Sequence, residues 1–256
     1  MPSIDAIAGA IGEMAPFETA EEWDNSGILV NCGGEVSALL VTLDITADVV
    51  GEAQEQGCQL IVAHHPVIFH PMRSIAKGDI VYRLVRRGIS AICAHTNLDA
   101  APGGVNDILA AIFGVEAAVP FASVGRVGRL RTPVSATQLA RSCADRFGAT
   151  VRFADAGRPV HTLAVLGGSG GGLLEAALAA GADCILTGEA DHHDALDAVQ
   201  AGISLIAAGH FSTEFPVVPV LADRLARLFP SVRVQVSRKS RDPFTTFTPA
   251  ASPGKD

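Results

Sequence analysis

The chain has 256 residues, 48% of them hydrophobic and 18% charged, with 19 Lys and Arg against 27 Asp and Glu for a formal net charge of −8. That length holds one large domain or two small ones, with ample apolar material for a core and too little charge for a disordered chain. The acidic balance argues against a nucleic-acid partner, which needs clustered cations, and no apolar run reaches the ~18 residues of a membrane span.

In chain order, Ser3 is placed to cap a first helix whose Ile4, Ile7, Ile11 and Met14 share one face, with Pro16 ending it. Asp5 and Glu13, with no basic residue before the apolar positions, are not expected in a signal peptide. Predicted strands follow at Ile28–Val30, Leu39–Leu43, Leu60–Ala63, Ile89–Ala94, Leu163–Leu166, Cys184–Thr187 and Ile203–Ala208. They are Ile/Leu/Val-rich without alternation, as in strands buried on both faces of a largely parallel sheet. Crossover helices are predicted at Asp48–Gln56, Ile80–Arg87, Leu173–Ala180 and Ala195–Gln200. The segment from Pro120 to Pro159 is less regular, with Arg126, Arg129 and Arg131 before a helix from about Thr137 to Phe147. The fold class is α/β, a layered α/β/α arrangement. Cys32, Cys58, Cys93, Cys143 and Cys184 are odd in number and lack CxxC spacing, so they read as thiols of a reducing cytoplasm. Thr248–Asp256, rich in Pro, Ser and Gly, is expected to be disordered.

The chain also resembles itself. GCQLIVAHHP (57–66) with GISAICAHTNLD (88–99) parallels GADCILTGEADHH (181–193) with GISLIAAGHFSTE (202–214). Each second strand ends in a histidine with a carboxylate four residues on: His95 with Asp99, His210 with Glu214. An internal duplication follows, two similar α/β halves with strand ends converging on one cleft. The expected division is 1–125 plus 212–256 against 126–211.

Ligands in open α/β sheets sit at the carboxyl ends of strands, which is where His64 and His65 fall. His, Asp and Glu gathered there are ligands for Zn, Mn, Fe or Ni, with no thiolate to narrow the choice. They are too many for one catalytic zinc and suit two divalent ions. A second pair, His192-His193 between Asp191 and Asp194, reads as the solvated first turn of a helix. Gly167–Gly172 follows a strand and precedes a helix; Gly168, Ser169 and Gly170 are there either to cradle an anion or simply to turn the chain. Asp24 and Asn25, in the loop of Trp23, are placed to orient substrate or a metal-bound water, or to cap a local turn.

EEWDNSGILV (21–30), LIVAHHPVIFH (60–70), AHTNLDAAPGGVND (94–107), GGSGG (167–171) and TGEADHH…GHFSTE (187–214) together resemble the family labelled GTP cyclohydrolase I type 2, also called Nif-three-like dinuclear metal-binding proteins. The resemblance runs in order along nearly the whole chain and matches the short form. It implies a two-metal site in an interdomain cleft, with His64 and His210 on one ion, His65 and Asp99 on the other, and Glu214 bridging. His95 then stands behind the ligands, and the assembly is a toroidal homohexamer, a trimer of dimers. Two functions compete. One is a cytoplasmic metal-dependent hydrolase acting on a nucleotide or other phosphate-bearing small molecule; the other is a non-enzymatic metal-binding or regulatory protein.

Overall fold

The structure, a computed structural model, describes residues 1–247. The tail 248–256, expected to be disordered, lies outside the described residues. A first run comprises α1 (Ile4–Met14), β1 (Gly27–Val30), β2 (Ala38–Thr42), α2 (Ala47–Glu55), β3 (Leu60–Ala63), α3 (Ile80–Arg87), β4 (Ser90–Cys93) and α4 (Thr96–Ala100). Then come α5 (Val105–Ile112), β5 (Val115–Phe121) and β6 (Gly125–Val134). A second run comprises α6 (Ala136–Phe147), β7 (Arg152–Ala154), β8 (Val160–Ser169), α7 (Leu174–Ala179), β9 (Cys184–Glu189), α8 (His192–Gln200), β10 (Ser204–Ala207) and α9 (His210–Glu214). The last described elements are α10 (Val217–Leu228) and β11 (Arg233–Val236).

The two runs match element for element, from α1 through α4 and from α6 through α9. Their sheets match as well. The first is ordered β1-β4-β3-β2-β11 and the second β5-β6-β8-β9-β10-β7. β2, β3 and β4 are parallel with β1 antiparallel on the β4 edge; β8, β9 and β10 are parallel with β7 antiparallel on the β10 edge. Duplication is therefore written into topology as well as sequence.

The unalternating strands are explained by helices on both faces. In the first sheet Leu39, Val41, Leu60, Val62 and Ile92 pack on α1 and α10, while Leu40, Ile61 and Ala91 pack on α2 and α3. In the second, Leu163, Val165 and Leu186 face α5 and α6, and Ala164 and Ile185 face α7. Local signals set the helix ends. Ser3 Oγ accepts from the Ala6 amide at 3.2 Å, and Asp191 accepts from the amides of His193 and Asp194. That cap starts α8 at His192, a turn earlier than the expected Ala195.

Two expectations need correction. The second sheet is mixed rather than largely parallel, because β5 and β6 join β8 antiparallel. The segment after Pro120, expected to be less regular, holds the ten-residue β6. Its alternating arginines are those of a strand with one face toward protein. Arg126 turns in to Asp107 and the Ala100 carbonyl, and Arg131 turns out to Glu116. Since β5 already pairs in the second sheet, a division at 125/126 would fall between its first two strands. Along α5, Val105 belongs to one core cluster and Leu109 and Ala110 to another.

Candidate metal centre

The carboxyl ends of the central parallel strands of both sheets meet, and each delivers a chemically active side chain. β2 leads to Asp44, β3 to His64 and His65, β4 to His95, β9 ends in Glu189, and β10 leads to His210. Asp99 and Glu214 follow on the short helices α4 and α9. Adjacent residues leaving a strand diverge, and His64 and His65 do so. His64 Nε2 lies 3.5 Å from Asp99 Oδ1 and 3.9 Å from Glu214 Oε1. His65 Nε2 lies 2.9 Å from Glu214 Oε2 and 3.4 Å from His210 Nε2, which is itself 3.1 Å from Glu214 Oε2. By distance the groups are His64 with Asp99 and His65 with His210, each against one oxygen of Glu214. The pairs that the resemblance implies, His64 with His210 and His65 with Asp99, are crossed relative to this arrangement.

In three of the four imidazoles Nδ1 is held within 3 Å by an acceptor, which leaves Nε2 to look into the centre. His64 Nδ1 donates to the Ala94 carbonyl at 2.9 Å, His65 Nδ1 to Asp44 at 2.8 Å, and His95 Nδ1 to Asp24 at 2.7 Å. His210 Nδ1 sits 3.4 Å from Glu189. Such partners fix the tautomer that a metal-ligating histidine needs. Sequence reasoning missed Asp44 and Glu189. The available signal was position: each is a carboxylate at the carboxyl end of a buried strand.

Burial sharpens the chemistry. His64 is 1% exposed, and Asp99 and Glu214 are buried. His64 Nε2, Asp99 Oδ1 and Glu214 Oε2 are buried without a hydrogen bond, although opposite charges lie within 4 Å. The close approaches are therefore not aligned for N–H donation. Orphaned buried polar atoms are costly unless something else satisfies them. Burial raises the Asp99 carboxyl to about 6 despite His64 beside it. It opposes charge on His65, yet Asp44 and Glu214 outweigh it and raise that imidazole to about 10. His210 is raised chiefly by its contact with Glu214, and His64 by Asp99 and Glu214 against its burial. Glu214, for all its burial, is held well below the usual carboxylate range by His210, His64 and His65. A field that draws protons onto three imidazoles draws metal cations as well. Donor separations of 2.9–3.5 Å match the edges of a coordination sphere with ~2.0–2.2 Å bonds, so the donor set fits divalent ions. Two sets of potential ligand atoms stand within 4.8 Å of one another, His64/His65/His95 and His65/His210/Glu214. Cys93, nearby, stays a thiol: burial pushes it up, and its Sγ donates to the His64 carbonyl at 3.0 Å.

The two histidines that looked equivalent in sequence are not. His95 is the residue before α4, outside the helix, whereas Gly209 (φ +95°) takes that place before α9 and makes His210 the first helical residue. His210 therefore shares a helical face with Glu214, while His95 Nδ1 is held by Asp24. Asp24 also accepts from the Thr96 amide and hydroxyl and from Ser26. Burial opposes its charge, but His95 and Thr96 hold it well below the usual range. Asn25 does not reach the centre; its Nδ2 donates to the Ile68 carbonyl at 2.6 Å.

The glycine loop turns the chain from β8 toward α7. Four of its amides are engaged within the protein: Gly167 with Asn106, Gly168 with Thr213, Gly170 with the Glu189 carbonyl, and Gly172 with Asp194. The glycines are there for space. A Cβ on Gly168 (φ +69°) would stand 2.1 Å from Glu214 Oε1, and one on Gly170 2.2 Å from Thr187 Oγ1. Ser169 lines the cavity over the centre. His192 and His193 lie apart, exposed on the first turn of α8.

Comparison with known proteins agrees with this architecture. The family model Duf34/NIF3 (NGG1p interacting factor 3) matches residues 2–243. A "GTP cyclohydrolase 1 type 2 homolog" of Clostridium acetobutylicum is 31% identical over 93% of this chain and 96% of its own. The Streptomyces coelicolor protein of the same name is 33% identical over 98% and 96%. Among solved structures, Staphylococcus aureus protein SA1388 superposes with a TM-score of 0.85 at 28% identity, covering 96% of this chain and 99% of its own.

Proposed function

The chain belongs to the Duf34/NIF3 family, and from that premise and the geometry of the centre we propose that it is a metal-dependent hydrolase built on two divalent ions. The observation that carries the reading is the trio of buried, unbonded atoms His64 Nε2, Asp99 Oδ1 and Glu214 Oε2, facing His65 and His210. His64 and Asp99 would hold one ion, His65 and His210 the other, and Glu214 both. Their identity stays within Zn, Fe, Mn or Ni, since the donors are imidazole and carboxylate. Bound there, such ions polarise a substrate bond and lower the pKa of a coordinated water. The protein's own part is to orient His65 through Asp44 and His210 through Glu189, and to hold His95 beside the cavity through Asp24. The label on the curated relatives supports a hydrolase. With four of its amides engaged, the glycine loop adds little support for a phosphate-bearing substrate.

Glu214→Gln tests the reading. Two dications at the ~4 Å of a bridged pair repel by roughly 17 kcal/mol at an effective dielectric of ~20, so an anionic bridge decides whether both stay. Plasma-emission analysis should find two ions per wild-type chain and one or fewer in the variant, with hydrolysis across a metabolite panel abolished. His192→Ala and His193→Ala should retain their metal. Full occupancy in Glu214→Gln would refute the bridge, and metal without turnover on any panel member would favour a binding or regulatory protein.

We also propose two α/β units, dividing along α5 rather than at 125/126, in a cytoplasmic homohexamer arranged as a trimer of dimers. The five free thiols support a reducing compartment, and among the described residues no helix is long and apolar enough to cross a membrane. Light scattering should give six copies of the 26.4 kDa chain; a monomer at micromolar concentration contradicts the assembly.

A further inference from the structure

The cavity above the centre has about 600 Å3, the size of a small-molecule site, and its floor is His65, His95, Asp99, His210 and Glu214. One wall is aromatic. Trp23, 59% exposed, and Phe69, 43% exposed, pack with ring centroids 5.9 Å apart, and both stand edge-on to His95 at 6.0 and 6.4 Å. From the second half come the aliphatic Val124, Leu166 and Leu173. Among the described residues lining this cavity there is no Lys or Arg, and Glu21 adds a negative charge at its edge. Polyphosphates are recognised by cations and free backbone amides; here no Lys or Arg supplies the former, so only the floor itself could, and the four glycine-loop amides named above are engaged.

The aromatic wall is also held rigid. The Trp23 loop is fixed by the Asp24 network to His95 and Thr96, and Asn25 Nδ2 ties it to Ile68, next to Phe69. Asn25, read from sequence as either orienting substrate or a metal-bound water or capping a local turn, clamps the two loops that carry the rings. Exposed rings fixed in advance bind a flat partner with little ordering cost.

We infer that this cavity recognises a planar heteroaromatic ring, laid against Trp23 and Phe69 with its polar edge toward the centre, and that in metal-free protein phosphate groups contribute nothing to that recognition. The inference rests on the hydrolase reading for the nature of the floor, but its test does not depend on turnover. Trp23 is the only tryptophan of the chain, so its emission reports binding directly. The probes are guanosine, adenosine, guanosine 5′-triphosphate and inorganic tripolyphosphate, each titrated into metal-free and Mn²⁺-loaded protein.

In metal-free protein both nucleosides should quench Trp23, the triphosphate should bind no tighter than guanosine, and tripolyphosphate should not compete. Phe69→Ala should weaken nucleoside binding at least about tenfold, the scale of one lost stacking contact, with metal content unchanged. Asn25→Ala should weaken it as well, by loosening the clamp. Tripolyphosphate displacing guanosine from metal-free protein, no quenching by any nucleoside, or indifference to Phe69→Ala each overturns the inference. Emission that follows protein concentration rather than probe assigns the wall to a second copy and overturns it equally. Nucleosides binding as expected to a loaded protein that hydrolyses nothing would sink the hydrolase reading alone. Turnover of phosphorylated metabolites unaffected by Phe69→Ala would sink this one alone.

Discussion

Single carboxylates decide how the histidines behave. Asp44 touches no candidate ligand atom, yet it holds His65 Nδ1 at 2.8 Å and so fixes which nitrogen faces Glu214. Asp44→Asn keeps the shape but can present an N–H where an acceptor is needed. Metal affinity, read by competition with a chromophoric chelator, should fall about 10–100-fold, with the circular dichroism spectrum unchanged; unaltered affinity would remove Asp44 from the centre. His and carboxylate gathered at strand ends singled out His64, His65, His95, Asp99, His210 and Glu214 in the sequence, and the choice of five of them as ligands came from the family resemblance. Asp44 and Glu189 were not singled out, since a lone acidic residue after a strand reads as ordinary surface. The matched His-x-x-x-carboxylate spacing alone does not separate His95 from His210, because it does not register Gly209, which sets their geometries apart.

Elements bearing the parallel strands were legible because helices on both faces forbid alternation, so Leu60–Ala63 and Ser204–Ala207 stand out as unbroken apolar runs. β6 was not, because arginines alternating with Val127 and Leu130 look like a solvated segment until Asp107 and the Ala100 carbonyl are seen beside Arg126. The glycine loop was left open between an anion cradle and a turn. Its composition suits a phosphate, while its geometry makes room for Glu214. Gly168 and Gly172 separate the two demands, since both have positive φ but only Gly168 has a carboxylate against its missing Cβ. Gly172→Ala should cost about 1–2 kcal/mol, the ordinary left-handed strain, and leave metal content intact. Gly168→Ala should push Glu214 aside and lose metal as well as stability. Thermal melts with metal analysis check both, and equal metal in the two variants would show that Gly168 serves only the turn.

At the scale of the whole molecule, proton and metal compete for the same field. Asp99 is raised from 3.8 to about 6 and His65 from 6.5 to about 10, so the folded protein binds both protons more tightly than the unfolded chain. Their contribution to a metal-free fold is complete below the unfolded values and is lost as pH rises through the folded ones. Asp99 gives up its share between about 4 and 6, His65 between about 6.5 and 10. Glu214, held well below 4.5, runs the other way and matters only in acid. The melting temperature of stripped protein should therefore decline from about pH 6 to pH 9, while metal, which needs the deprotonated ligands, gains on protons. Calorimetry should show the gap between loaded and stripped protein widening with pH; a constant gap would mean the imidazoles are not the shared seat. The division of the ligands between the two halves adds a mechanical consequence. An ion joining His65 to His210 closes a loop of roughly 145 residues, which in the chain-entropy picture restricts the unfolded state by about 5 kcal/mol. All five cysteines are free, so the fold carries no covalent staple. The metal would act as one: a cross-link that tightens when cations are plentiful, opens to a chelator or to acid, and re-forms without any redox chemistry.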